Sequence, residues 1–263
     1  DLHKEYRRQR QMCIRDSPQP QMKREHWKNL NGEWDFSFDF GCSGIDQKWQ
    51  EGKTDWEKKI LVPFCPESDL SGIGYKDFIP GVWYHRTITL TGEELKGDLL
   101  LHFGAVDYDA RVWINGVEAG RHQGGYVSFT FDITKLVKEG ENDITLFAAD
   151  DVRSGKQPKG KQSHFFYSRG CDYTRTTGIW QTVWLEWVPE SYIEKVQYYP
   201  NLAEATLGIK AVVKGQGTLE AKAFYGGEPC GSVSAKSEDG TVTMTLPLSR
   251  LEKWEPGHGR LYD

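Results

Sequence analysis

An all-β protein made of antiparallel sandwiches is predicted by three features of the sequence. Apolar and polar residues alternate in many short runs, the period-two pattern of strands with one buried face. Glycine, asparagine and aspartate punctuate those runs, with few helical patterns between them. Aromatic residues make up 13% of the 263-residue chain, enough to build one or two sizeable cores.

Taken in order, residues 1–24 are basic, lack an apolar period and contain Ser17-Pro18-Gln19-Pro20, which reads as a disordered or non-native leader. Met12-Cys13-Ile14-Arg15-Asp16-Ser17 back-translates to a sequence resembling a transposase adapter, so the charge of this stretch carries no functional weight. Trp34, Phe36, Phe38 and Phe40 alternate with Asp35, Ser37 and Asp39 as a half-buried strand. Leu99, Leu101 and Phe103 make a second. Val112 and Ile114 run into Asn115-Gly116, the dipeptide suited to a type I′ hairpin, so the chain should return through Val117. Phe129, Phe131 and Ile133, then Ile144, Leu146 and Ala148, give two more strands, with a short helical turn expected over 132–137. The polar run from Asp151 to Arg169 is a long loop, either a solvated surface or the wall of a pocket. Val183, Leu185 and Trp187 face one side of a last strand, and Thr182, Trp184 and Glu186 the other. Beyond Pro189 a second module follows, with alternating sets at Leu207–Val213, Leu219–Tyr225 and Val242–Leu248 and turns at Gly226-Gly227 and Asp239-Gly240.

Composition excludes several functions. A net charge of -5, with no basic stripe after Lys28, argues against nucleic acid, whose phosphates require a cationic face. No stretch of about 18 apolar residues could cross a membrane. The five cysteines are scattered and odd in number, without Cys-x-x-Cys spacing, so a disulfide framework or zinc site is not expected, and Cys171 reads as a loop or core thiol. The histidines show no ligand spacing. Asp107 and Asp109 read as turn formers, and Asp150 and Asp151, as strand neighbours, point opposite ways.

Several short motifs occur in a fixed order: Asn29-Leu30-Asn31-Gly32-Glu33-Trp34, Val62-Pro63-Phe64 with Glu67-Ser68, Val82-Trp83-Tyr84, Phe103-Gly104-Ala105-Val106-Asp107, Val112-Trp113-Ile114-Asn115-Gly116 and Gly124-Gly125-Tyr126. They end in Asp172-Tyr173-Thr174-Arg175-Thr176-Thr177-Gly178-Ile179-Trp180-Gln181-Thr182-Val183-Trp184-Leu185-Glu186. Together they resemble glycoside hydrolase family 2, the β-galactosidase, β-glucuronidase and β-mannosidase group.

The resemblance implies a galactose-binding-like jelly roll over 25–190 and an immunoglobulin-like sandwich over 191–263. Trp254-Glu255-Pro256 and Leu261-Tyr262-Asp263 match that second domain's late pattern. Such a domain takes about 100 residues and seven strands, so 191–263 is expected to be C-terminally truncated. In the family both catalytic glutamates belong to a third, (β/α)₈ barrel domain. No strand–helix repeat of that kind occurs here, so this chain is expected to be catalytically silent alone.

The parent would be a retaining, β-galactosidase-like enzyme acting on terminal β-linked sugars, with carbohydrate and the barrel of the same chain as partners and a homo-oligomeric assembly. The match places Asp172 and Arg175 at the edge of the barrel's pocket as substrate-binding residues; in some members the aspartate also contacts a monovalent cation. A carboxylate accepts from sugar hydroxyls and a guanidinium donates through a rigid fork. Alternatively, Asp172 and Arg175 pair with each other and only shape the loop, and the whole chain is a stand-alone carbohydrate-binding or adhesion module.

Overall fold

The computed structural model describes residues 18–263; the reading of 1–17 as a non-native leader lies outside the described residues. Two compact units divide after Val188.

The first unit contains strands β1 (Trp27–Asn29), β2 (Gly32–Phe38), β3 (Lys58–Val62), β4 (Gly81–Leu90), β5 (Asp98–Phe103) and β6 (Val106–Asp107). These are followed by β7 (Asp109–Ile114), β8 (Val117–Gln123), β9 (Phe129–Asp132), β10 (Gly140–Ala149), β11 (Gly178–Ile179) and β12 (Val183–Val188). One sheet has the order β3-β2-β4-β10-β7-β8, the opposing one β1-β12-β5-β9, and β11 pairs with β6 in a separate short ladder. All pairings are antiparallel, giving the jelly-roll sandwich.

The inward residues are those that alternation singles out. Trp34, Phe36, Val82, Tyr84, Val112 and Leu146 meet Leu99, Leu101, Phe103, Val183 and Leu185 in one apolar core. Each large side chain buried there contributes roughly 1.5–3 kcal/mol. Trp34 also donates Nε1–H to the Leu30 carbonyl at 2.8 Å, so its polar edge is satisfied.

Asn115 and Gly116 have φ of 52° and 80°, the left-handed pair of a type I′ turn, and they join β7 to β8 as the dipeptide predicts. Over 132–137 there is a turn and no helix: Asp132 Oδ1 accepts from the Thr134 N–H at 3.0 Å. The first alternating run ends at Phe38; Phe40 is exposed and stacks on Phe38 with centroids 5.2 Å apart. Of the stretch read as leader, Pro20–Met22 form a 3₁₀ turn, and Arg24 reaches Glu186 at 3.4 Å.

The second unit is the immunoglobulin-like sandwich, with β13 (Tyr192–Asn201), β14 (Thr206–Lys214) and β17 (Gly240–Pro247) in one sheet and β15 (Gly217–Tyr225) with β16 (Glu228–Ser237) in the other. Ile209, Ala211, Val213, Leu219, Ala223, Met244 and Leu246 form its core. Gly226 and Gly227, at φ 60° and 85°, close the β15–β16 hairpin. Phe224 and Asp263 exchange backbone hydrogen bonds of 2.9 and 3.0 Å, placing the last residue alongside β15.

Candidate functional site

Between β10 and β11 the chain leaves the sheets for residues 150–177, which contain no strand and are joined by isolated bridges Gln162↔Tyr173 and Arg169↔Asp172. A segment without a ladder of its own needs other partners for its polar backbone. Here they come from the segment's own backbone and side chains, with Glu67 of the scaffold taking the Thr177 N–H.

Arg175 is one anchor. It is only 3% exposed, and its guanidinium lies 4.2 Å from the Phe78 ring centroid. Nη1 donates to the carbonyls of Ser163 at 3.2 Å and Phe165 at 2.6 Å; Nη2 donates to Lys76 and, at 3.4 Å, to Phe166. The rigid donor fork thereby pins the 163–167 turn to the scaffold. Burial lowers the pKa of the Arg175 guanidinium.

Asp172 has a different environment. Its side chain is 26% exposed, and Oδ2 lies 3.9 Å from Lys159 Nζ, which also donates to the Gln162 carbonyl at 2.7 Å. The Asp172 and Arg169 backbones bond reciprocally at 3.0 and 3.1 Å, which fixes the turn that carries the carboxylate. Phe166, Tyr167 and Tyr173 of the same segment are exposed. The structure does not join Asp172 to Arg175: the first pairs with a lysine, the second with main-chain oxygens. Asp172 can accept hydrogen bonds from outside, whereas Arg175 positions the loop.

Three carboxyl groups lie buried at the base of this segment. Glu67 follows β3, Asp107 ends β6 and Asp150 follows β10. Glu67 Oε2 accepts from the Thr177 N–H at 3.2 Å, and Asp150 Oδ2 from the Thr177 hydroxyl at 3.1 Å. Asp150 Oδ1 accepts from Gln157 and Asp107 Oδ2 from Gln162, both at 2.6 Å. Burial pushes Glu67 and Asp150 up to about 7 and Asp107 up to about 6, against the pull of these hydrogen bonds. Asp107 is therefore a buried acceptor in a strand, contrary to the turn-forming role predicted for it; Asp109, likewise in a strand, bonds Arg121 at 2.7 Å and Gln123 at 2.9 Å. No sequence signal marks this cluster, since its members are far apart in the chain and only Glu67 and Asp107 lie within the family-like motifs.

The β11–β6 ladder closes the arrangement. Gly178 has φ 72°, and a Cβ there would collide with the Tyr84 hydroxyl, which accepts the Ile179 N–H at 3.2 Å. Only glycine permits that approach. Cys171 is an exposed thiol on the loop. Among the described residues no group of three or more His, Cys, Asp or Glu side chains could hold a metal ion, and no helix is long and apolar enough to cross a membrane.

The chain is similar to the pig (Sus scrofa) β-glucuronidase, with 28% identity over 91% of this chain and 40% of that protein. It is also similar to the β-galactosidase of Thermoanaerobacter pseudethanolicus, with 27% identity over 69% of this chain and 25% of that one. It therefore spans well under half the length of either relative. Among solved structures, a β-glucuronidase from Ruminococcus gnavus in complex with D-glucaro 1,5-lactone superposes with a TM-score of 0.69 at 21% identity, over 92% of this chain and 42% of that one, a likeness of fold. The family model described as "Glycosyl hydrolases family 2, sugar binding domain" matches residues 27–189, and the chain belongs to that family.

Proposed function

We propose that this chain is the N-terminal, non-catalytic part of a retaining glycoside hydrolase, and that Asp172 forms one edge of a substrate pocket completed by a following barrel domain. In that reading residues 25–190 supply the pocket edge, and residues 191–263 form an immunoglobulin-like spacer that continues past Asp263. The two carboxyl groups that break the glycosidic bond with retention belong to the barrel. Arg175 holds the loop and does not touch the sugar. A terminal β-D-glucuronide is the first substrate to test and a β-galactoside the second, following the activities named for the relatives.

The observation that carries this reading is the partly exposed carboxylate of Asp172 on a segment whose Arg175 and Asp150 are buried. A sugar hydroxyl bonded to an ionised acceptor is worth about 1.5–3 kcal/mol. Replacing Asp172→Asn in the longer protein should therefore lower kcat/KM for an aryl β-glucuronide by roughly 10- to 100-fold. Unchanged kcat and KM would refute the role.

A further inference from the structure

We propose that Glu67, Asp107 and Asp150 act together as a proton-operated latch on residues 151–177, closed while the cluster holds its protons and released when it ionises. The three groups sit at separate points of the scaffold and grip the segment at three places. Gln157 and Thr177 donate to Asp150, the Thr177 backbone donates to Glu67, and Gln162 donates to Asp107 while its own Oε1 accepts the Thr176 N–H at 2.8 Å.

A proton has somewhere to go without breaking that grip. Glu67 Oε1 and Asp107 Oδ1 are buried and accept none of the segment's hydrogen bonds, so protonation there removes charge from those two groups while the bonds they accept from the segment persist.

Ionisation is favoured by those donated hydrogen bonds and by one from the Cys65 thiol to Glu67, but burial outweighs them and no cation among the described residues pairs with the cluster. On the Glu67 side the neighbours are Cys65, whose thiol burial pushes up to about 12, and Tyr84, whose phenol is raised far above its ordinary value. Neither supplies a positive charge. On the Asp150 side, Asp107 and Asp151 add negative charge. Arg175 is the cation whose field reaches Glu67 and Asp150, but its hydrogen bonds go to carbonyls, and it also feels Asp77 and Arg153. None of the ion pairs within 4 Å found among the described residues includes a member of the cluster.

Like charges in a buried space repel strongly, and the relief is water. A cavity of about 120 Å³, lined by Phe78, Pro80, Asp150, Val152, Arg153 and Thr177 among others, lies beside Asp150 as an entry point. Admitting more water means lifting the segment.

The direction of the effect follows from linkage. Carboxyl groups ordinarily titrate at about 4. In the closed form these three titrate near 6 to 7, so the closed form binds the extra protons. Its stability is greatest at low pH and is lost as pH rises from about 4 through 7. Asp172 lies on the released segment, so the pocket edge would inherit the switch; that consequence alone rests on the function proposed above, and the latch itself is measurable without it.

The test is amide hydrogen exchange of the 263-residue chain between about pH 5.5 and 8.5, corrected for the intrinsic pH dependence of exchange. Protection over 155–177 should fall at least about 10-fold across that range, while protection over 39–57 holds steady. Glu67→Gln, which keeps an oxygen facing the Thr177 N–H, or Asp107→Asn should the first variant fail to fold, should flatten the fall and keep the segment protected at the high end. Wild-type protection that does not change with pH, or the full fall persisting in the folded variant, would overturn the latch.

Discussion

Residues 39–57 and residues 151–177 are both long connections laid over the first sandwich, and they are held down by opposite physics. The earlier one is sealed by rings. Trp49 and Trp56, with Ile45, cover Trp83, Trp113 and Phe147 on the outer face of the six-stranded sheet. Trp83 stacks on Trp113 at 5.5 Å and meets Trp49 at 5.7 Å, and its Nε1–H goes to Asp39, which also takes the Gly44 N–H at 2.8 Å. The later connection rests on buried Arg175 and on the buried carboxyl groups of Glu67, Asp107 and Asp150, against the single buried carboxyl group, Asp39, of the earlier one. An apolar cover contributes stability at any pH and opens only with the sheet beneath it. A polar cover is conditional, because burying its groups costs free energy that only complete pairing offsets.

The sharpest way to break that contrast is Trp83→Ala. Removing a fully buried indole should cost about 3–5 kcal/mol, read as a lowered denaturant midpoint, with little difference between about pH 5.5 and 8. A loss below about 1 kcal/mol would mean that the rings do not hold the first cover.

Arg175→Met comes next. It keeps most of the side-chain volume but leaves carbonyls of Ser163, Phe165 and Lys76 without a donor. Each buried unpaired group costs about 1–3 kcal/mol, yet the total is capped by the free energy of simply releasing the segment. The expected outcome is a global loss of about 2 kcal/mol, with a larger rise in exchange over 163–177. Global destabilisation matching Trp83→Ala, with no local excess, would show that the second cover is as integral as the first.

How much of this was legible in the sequence follows the same division. Alternation located β5, β10 and β12 because their inward residues are apolar, although Trp184 and Glu186 on the opposite face are buried as well. Trp184 stacks on His102 at 4.8 Å, and Glu186 pairs with His102 at 3.3 Å. Strands β13 and β16 carry no such signal. Most of β13 is exposed, and β16 carries Pro229 and Gly231 with small residues between polar ones, so neither shows a strong apolar period. The motif around Asp172 and Arg175 pointed to the right segment but not to the separate fates of the two side chains. Whether an arginine is exposed or bound by carbonyls depends on Lys76 and on Ser163 through Phe166, which no local pattern brings together. The buried carboxyl groups were invisible for the same reason: desolvation is a property of the assembled site.

Asp172→Asn supplies the smallest expected change in stability and the finest test of the contrast. Its one ion pair spans 3.9 Å to Lys159, with both side chains partly in water. Such pairs contribute about 0–1 kcal/mol. The backbone bonds that shape the turn are kept by asparagine. Thermal melting of the chain should therefore shift by no more than a few degrees, since about 1 kcal/mol moves Tm by roughly 2–4 °C in a domain of this size. A larger shift would mean that this carboxylate belongs to the structural anchoring with Arg175 and is not left free for a ligand.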